Sequence, residues 1–339
     1  FPAERIYFHG NCKTDADLAY GVSQGIGFFV ADNREELLAL EKTAAETNVT
    51  QKILLRVTPG IDPHTYEAVN TGKVDSKFGA AVETGQAMEL VKLALTLPHL
   101  DLRGLHCHVG SQVFGEDVYQ RTLDIMVPFL AQIRDETGVT LSDLNLGGGY
   151  GVRYTQEDEA IDIPARLAEL AAYLKEKTER LGLPMPRFLM EPGRSIVADA
   201  GMTLYTVGSV KRIPGYKQYA AVDGGMTDNI RPALYQAVYR GILANKADAA
   251  PAETVTVCGK CCESGDILIK DCMITGTAKA GDLFAMFSTG AYGFSMASNY
   301  NSNPIPAVVL VKDGKSELIV KRQSYDDMIK NQLMPEMLK

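Results

Sequence analysis

The sequence predicts an α/β fold: a parallel β/α barrel followed by a second, antiparallel β domain. Up to about residue 200, short apolar runs alternate with helical patterns, the mark of consecutive βα units. Each run ends in polar or glycine-rich residues, so polar chemistry is spread over all the strand ends. A barrel distributes its chemistry in that way, whereas an open doubly wound sheet concentrates it at one switch point. Beyond Asp199 the long helical patterns stop, and short β-type runs separated by Gly, Pro, Asn and Asp take over.

In the first domain (residues 1–200), strands are expected at 6–9, 27–31, 52–57, 102–108, 144–146 and 186–191. Helices are expected at 14–24, 34–47, 83–95, 117–137 and 164–181. Thr14 suits an N-cap, because its hydroxyl can accept from a first-turn N–H. The strands number about two fewer than a closed barrel needs. Residues 65–75 form a polar, glycine-containing excursion. In the second domain (201–339), β runs are expected at 202–213, 219–223, 254–258, 267–269, 283–287, 307–311 and 317–320. A short helix is expected near 232–239 and a terminal one over 325–334.

With 339 residues, 46% of them apolar and 22% charged, the chain is long enough for two domains with sizeable cores. A net charge of −8 argues against nonspecific binding to nucleic acid or to an anionic membrane surface. No apolar run approaches the roughly 18 residues of a membrane helix, and no secretory leader is read. The six cysteines fit reduced thiols and a cytoplasmic setting. Cys258 and Cys261 form a C-x-x-C pair, but no second pair or histidine cluster follows at zinc-like spacing, so no metal is expected. The chain opens with Phe1 and runs almost at once into a strand, so it is expected to be cut from a longer protein.

The stretch Leu144-Asn145-Leu146-Gly147-Gly148-Gly149-Tyr150-Gly151 reads as a buried strand entering a bare turn. Glycine allows positive φ and close approach, so its N–H groups can meet an anion. The G-x-G-x-x-G and G-K-[ST] patterns of dinucleotide and nucleotide phosphate loops are not met. His106-Cys107-His108-Val109-Gly110-Ser111-Gln112 ends another strand, and alternation puts His106 and His108 on one face. A metal would lack a third ligand nearby. A flat imidazole could stack on a flat cofactor ring, with two satisfied core histidines as the plainer alternative. Ser111 could donate to an anion.

Glu191-Pro192-Gly193-Arg194-Ser195 ends a further strand. The carboxylate and guanidinium are either a simple ion pair or divide their work. In the second case Glu191 would hold a protonated ring nitrogen, while Gly193 N–H and Arg194 hold anions. Cys262-Glu263-Ser264-Gly265-Asp266, Arg231 with Tyr235 one helical turn on, and Tyr292 between glycines are further candidates. Arg56 is a charge inside a short apolar strand and needs a partner. Each of these alone is equally consistent with a surface or packing role.

Taken in order, HCHVGSQ, LNLGGGYG, EPGRS, RPALY, CESGD and GAYGFSMASNYNS resemble the diaminopimelate decarboxylases, pyridoxal-phosphate enzymes of the alanine-racemase-like, fold type III group. The resemblance runs from Phe8-His9-Gly10-Asn11 to the last strands. It implies a TIM barrel of alanine-racemase type, decarboxylation of meso-2,6-diaminopimelate to L-lysine, and pyridoxal 5'-phosphate as cofactor. It further implies that His108 stacks on the ring, that Ser111, Gly148, Gly149 and Gly193 hold the phosphate, and that Glu191 pairs with the ring nitrogen. Arg194, Arg231 and Tyr235 would position the substrate. Cys262 would donate a proton, Glu263 would read the distal amino group, and Tyr292 would touch cofactor and substrate. A homodimer with shared sites is implied.

The family's cofactor lysine lies in a Tyr-Ala-x-Lys-Ala-like motif on the first barrel strand, and Lys13, Lys73 and Lys77 do not match it. The resemblance thus implies an incomplete barrel that lacks its first strand units, with turnover expected of the longer parent. Asn303 and Ile305 also depart from a common Arg-Pro-Arg-Pro-like run, and Lys260-Cys261 replaces a Pro-containing approach to CESGD. Two alternatives stand beside the main reading: an ornithine- or arginine-type decarboxylase of the same fold, and a non-catalytic regulatory homologue.

Overall fold

The computed structural model describes residues 1–61, 72, 74–115 and 117–338, so most of the excursion expected at 65–75 lies outside the described residues. The chain divides into two compact units, Phe1–Gly151 with Ile161–Gly193, and Val152–Ala160 with Arg194–Lys339. The boundary expected at residue 200 is thus drawn at Gly193, and Val152–Ala160, placed by sequence in the first domain, belongs to the second unit.

The first unit is built of βα repeats. They are β1 (Tyr7–Phe8), α1 (Asp15–Ser23), β2 (Phe28–Ala31), α2 (Arg34–Glu46), β3 (Gln51–Thr58), a short β4 (Ala80–Ala81), α3 (Gln86–Leu95), β5 (Leu100–His106), α4 (Val118–Thr137), β6 (Asp143–Asn145), α5 (Ile163–Arg180) and β7 (Arg187–Leu189). The strands pair in parallel in the order β1-β2-β3-β5-β6-β7, with β4 beside β3. Thr14 caps α1 in a capping box with Asp17, as its position suggested. Asn33 and Asp162 cap α2 and α5 through their side chains.

The central strands β2, β3 and β6 are buried on both faces, which is why they read as near-continuous apolar runs, whereas the edge strands β1 and β7 are only partly buried. Phe29, Ile53, Leu55, Leu105 and Leu144 pack against helix residues such as Leu37, Leu40, Val91, Leu123 and Leu174. Phe28, Val30 and Leu54 form a separate cluster with Tyr7. The first and last strands of the path come together: Arg187 Nη2 on β7 donates to Tyr7 Oη on β1 at 3.1 Å. The sheet therefore curls into a partial barrel. Arg56, the charge noted within β3, lies over the Phe78 ring at 4.3 Å, and burial lowers its pKa against the opposing pull of Asp32. Lys13 is buried and saturated, donating to Gly10 O, Val30 O and Glu36 Oε1 at 2.8, 2.9 and 2.7 Å.

The second unit begins with the single-turn α6 (Arg194–Val197), followed by β8 (Thr203–Ile213), β9 (Lys217–Val222), α7 (Arg231–Tyr235), β10 (Gly241–Leu243), β11 (Pro251–Cys258), β12 (Ile267–Thr275) and β13 (Leu283–Met286). These strands form one sheet in the order β10-β13-β8-β9-β11-β12. The expectation of an antiparallel domain needs one correction: β9 and β11 pair in parallel. The chain between them, with α7 and β10, is long enough to return to the same end of the sheet. The expected helix at 232–239 ends at Tyr235, where Gln236 turns left-handed at φ 54°. A hairpin of β14 (Val308–Lys312) and β15 (Lys315–Val320) and a one-turn α8 (Tyr325–Ile329) close the chain; α8 stops short of the expected residue 334. No helix among the described residues is long and apolar enough to cross a membrane.

Candidate active site

In the first unit, the strands' C-terminal ends bring together residues far apart in sequence. Glu191 follows β7, Asn145 ends β6, His106 ends β5, and His9 follows β1. Glu191 Oε1 accepts from His9 Nε2 at 2.9 Å and from Asn145 Nδ2 at 2.8 Å, and Oε2 accepts from His106 Nε2 at 3.1 Å. Burial alone would raise the Glu191 pKa. The hydrogen bonds from His106 and His9 outweigh it and hold the carboxyl well below its usual range. Burial pushes His106 down to about 4, so its ring is neutral near pH 7 and carries its proton on Nε2, toward the carboxylate. Among the described residues, His106 Nδ1 is then a buried acceptor without a partner. The donor atoms of His9, His106 and Glu191 lie within 4.8 Å of one another, and their mutual hydrogen bonds occupy them. The fold thus supplies the third polar group that the sequence did not place near His106.

The glycine turn follows β6 directly. Asn145 Oδ1 accepts from Gly147 N–H at 2.9 Å, so one side chain orders both the turn and the carboxylate. Gly148 N–H donates to His108 Nδ1 at 3.3 Å. A Cβ on Gly148 would lie 2.0 Å from Glu191 O, and one on Gly149 (φ 115°) 2.1 Å from Gly110 O. The turn is glycine because the neighbouring strand ends press on its backbone. Tyr119 Oη donates to Gly148 O at 2.9 Å from below. Among the described residues, neither Gly149 N–H nor Gly193 N–H has an acceptor. Gly193 differs from the turn glycines, since a Cβ there would meet nothing within 4 Å. Backbone N–H groups without an acceptor are the kind of donor an anion takes up. Burial, with the nearby Arg56 charge, lowers His108 to about 4, so the imidazole by the turn is neutral. Ser111 is partly buried on the β5 loop.

In the second unit, two buried arginines sit among phenols. Arg194 Nη1 donates to Tyr154 Oη at 2.7 Å, and its guanidinium lies 4.8 Å from the Tyr292 ring centroid. Arg231 hydrogen-bonds Tyr239 Oη and lies 5.0 Å from the Tyr154 ring. Among the described residues no carboxylate pairs with Arg231, and its partners are the Tyr239 hydroxyl and the Tyr154 and Tyr239 rings. Tyr292 holds φ 58°, a conformation costly for an aromatic residue. Tyr235 ends α7, but the phenol bonded to Arg231 is Tyr239. Cys262 and Glu263 lie exposed on the loop after β11. Buried Asp266 ties that loop down, accepting from Met226 N–H at 2.7 Å and Cys261 N–H at 2.9 Å. Asn301 Oδ1 accepts from Cys262 N–H at 2.7 Å.

Sequence reasoning did not give roles to His9, Asn145, Tyr154, Tyr239 or Asp266. His9, Asn145 and Asp266 stood inside the quoted motifs, whereas Tyr154 and Tyr239 carried no local signal.

An ionised carboxylate, a neutral imidazole and a glycine turn at the strand ends match the class that comparison with known proteins shows, a pyridoxal-binding one. The family model described as "Pyridoxal-dependent decarboxylase, pyridoxal binding domain" matches residues 1–198. The chain is 47% identical over 330 residues to the diaminopimelate decarboxylase of Bacillus subtilis (strain 168), covering 97% of this chain and 75% of that protein. It is similar to the crystal structure of diaminopimelate decarboxylase from M. jannaschii in co-complex with L-lysine, at TM-score 0.89 and 33% identity over 100% of this chain and 76% of that one. It is also similar to the Helicobacter pylori diaminopimelate decarboxylase complexed with L-lysine, at TM-score 0.83 and 30% identity over 97% of this chain and 78% of that one. The chain belongs to the diaminopimelate decarboxylase family of pyridoxal-dependent decarboxylases, and its cofactor is pyridoxal phosphate.

Proposed function

We propose that the site serves the decarboxylation of meso-2,6-diaminopimelate to L-lysine and CO₂. The observation that carries this reading is Glu191, an ionised carboxylate held by three donors beside His108 and the glycine turn. Bound pyridoxal phosphate supplies the electron sink for the pair left on the α-carbon when CO₂ departs. Glu191 would keep a proton on the ring nitrogen, and that proton would make the sink effective. His108, neutral and flat, would stack on the ring. Gly149 and Gly193 N–H, with Gly148 and Ser111, would hold the phosphate.

Arg194 and Arg231 take up the substrate's carboxylates, with Tyr235 and Tyr292 aligning it. Glu263 pairs with the distal ammonium, while the distal carboxylate is the group that separates diaminopimelate from ornithine and lysine. Cys262 delivers the proton to the carbon that lost CO₂. The same reading includes a cytoplasmic homodimer with shared sites and no nucleic-acid partner.

The test is a substrate panel with CO₂ detection and pyridoxal phosphate supplied, run on the chain extended at its N-terminus by the segment that carries the family's cofactor lysine. Release from meso-diaminopimelate alone is expected, and preference for ornithine or arginine would overturn the reading.

A further inference from the structure

We infer that His9 is a positioning residue for Glu191, and that Glu191 Oε2, not Oε1, is the oxygen that meets the ring nitrogen. The inference rests on the reading of Glu191 as the ring-nitrogen partner. A carboxylate offers about four acceptor sites, two on each oxygen. His9 Nε2–H and Asn145 Nδ2–H fill both sites of Oε1, at 2.9 and 2.8 Å. His106 Nε2–H takes one site of Oε2, at 3.1 Å. Among the described residues one site remains open, and it lies on Oε2.

The three donors are not equivalent. His106 is 1% exposed, and Asn145 also holds Gly147 N–H, so both are tied into the fold. His9 lies just past the two-residue β1 and its side chain is 32% exposed, so it can be altered without opening the core. Its ring also meets His106 edge-on, with centroids 4.8 Å apart, so it braces the second donor. Removing His9 leaves Oε1 with one donor and lets the carboxyl rotate about its last bond. It also removes one of the hydrogen bonds that favour the ionised carboxyl. Both changes weaken the grip on the ring proton.

The test compares the unsubstituted chain with His9→Phe, which keeps bulk without a donor, and His9→Gln, which returns an N–H. Each is titrated with pyridoxal phosphate, following fluorescence for affinity and the absorption band of the bound cofactor against pH. We expect His9→Phe to bind the cofactor about ten-fold more weakly, the order of one charge-assisted hydrogen bond. Its bound cofactor should lose the ring proton at lower pH than in the unsubstituted chain. His9→Gln should restore most of both properties, which a role limited to packing would not do. Unchanged affinity and an unchanged pH profile in His9→Phe would overturn the inference and leave the functional reading standing. A chain that binds no pyridoxal phosphate before substitution, even when extended by the segment that carries the family's cofactor lysine, would overturn both.

Discussion

His9 Nε2 lies 2.9 Å from Glu191 Oε1, across 182 residues of sequence. One residue follows the first strand of the parallel sheet and the other follows the last. Their contact marks the place where the curled sheet brings its edges together, and the Tyr7–Arg187 bond repeats the junction on the strands themselves. The candidate site stands on this seam, with β5 and β6 supplying His106, His108, Asn145 and the glycine turn.

Acid should weaken the first unit through this cluster. A histidine whose folded pKa is depressed binds its proton more readily when unfolded, so stability is present at neutral pH and lost as pH falls. For His106 the window runs from about 6.5 down to about 4. The full shift corresponds to about 3 kcal/mol. The depressed Glu191 carboxyl has the same sign, since its stabilisation is lost at still lower pH. Denaturant titrations between neutral pH and about pH 4.5 should show this loss, and His106→Gln should lessen it, the remainder coming from His108, which burial also lowers to about 4. A profile equally steep in His106→Gln would assign the loss elsewhere.

Two glycines of the proposed phosphate site should respond in opposite ways to alanine. At Gly148 the new Cβ would lie 2.0 Å from Glu191 O, so the turn must move. Gly148→Ala is expected to cost more than about 2 kcal/mol in denaturant titration, through backbone strain at a packed position. At Gly193 nothing lies within 4 Å and φ is not positive. Gly193→Ala should leave stability unchanged or raised by up to about 1 kcal/mol, because it restricts only the unfolded chain. It should nevertheless lower cofactor affinity, since the methyl enters the space assigned to phosphate. Undiminished binding by Gly193→Ala would remove that residue from the site.

The buried pair Lys13–Glu36 should be essential to folding rather than to chemistry. Both side chains are almost fully buried and 2.7 Å apart. Lys13→Met leaves Glu36 charged and uncompensated, at a cost of about 3–5 kcal/mol. Lys13→Met with Glu36→Gln should recover a good part of that loss. Equal stability of the single and double variants would show that the pair is not coupled.

In the second unit, Asp266→Ala should loosen the loop that carries Cys262 and Glu263. The variant loses the acceptor for Met226 and Cys261 N–H. It should be destabilised by about 2–3 kcal/mol and exchange those amide hydrogens faster in the native state. Unchanged exchange at both amides would show that the loop is held by other contacts.

The sequence made the order of βα units legible because strands buried on both faces and capped helices leave strong local patterns. Thr14 showed itself as a cap, and the strand-end motifs marked His108, Glu191 and the glycine turn. What it did not show follows from long-range pairing. The parallel β9–β11 pair depends on where a crossover returns, which no local pattern records. His9 and Asn145 stood in plain view, but their common target lies on another strand. Tyr154 and Tyr239 look like ordinary core aromatics until Arg231 is found between them. Tyr292 was singled out by its flanking glycines, yet the strained backbone belongs to the tyrosine itself.

The seam between β1 and β7 also bears on how the protein reaches its native state. Closing a loop of 182 residues is entropically unfavourable and slow compared with forming neighbouring βα contacts. The two edges should therefore join late, after the intervening units have assembled. A ligand that needs both edges would then bind only molecules that have finished folding, and its uptake could serve as a clock for the last step.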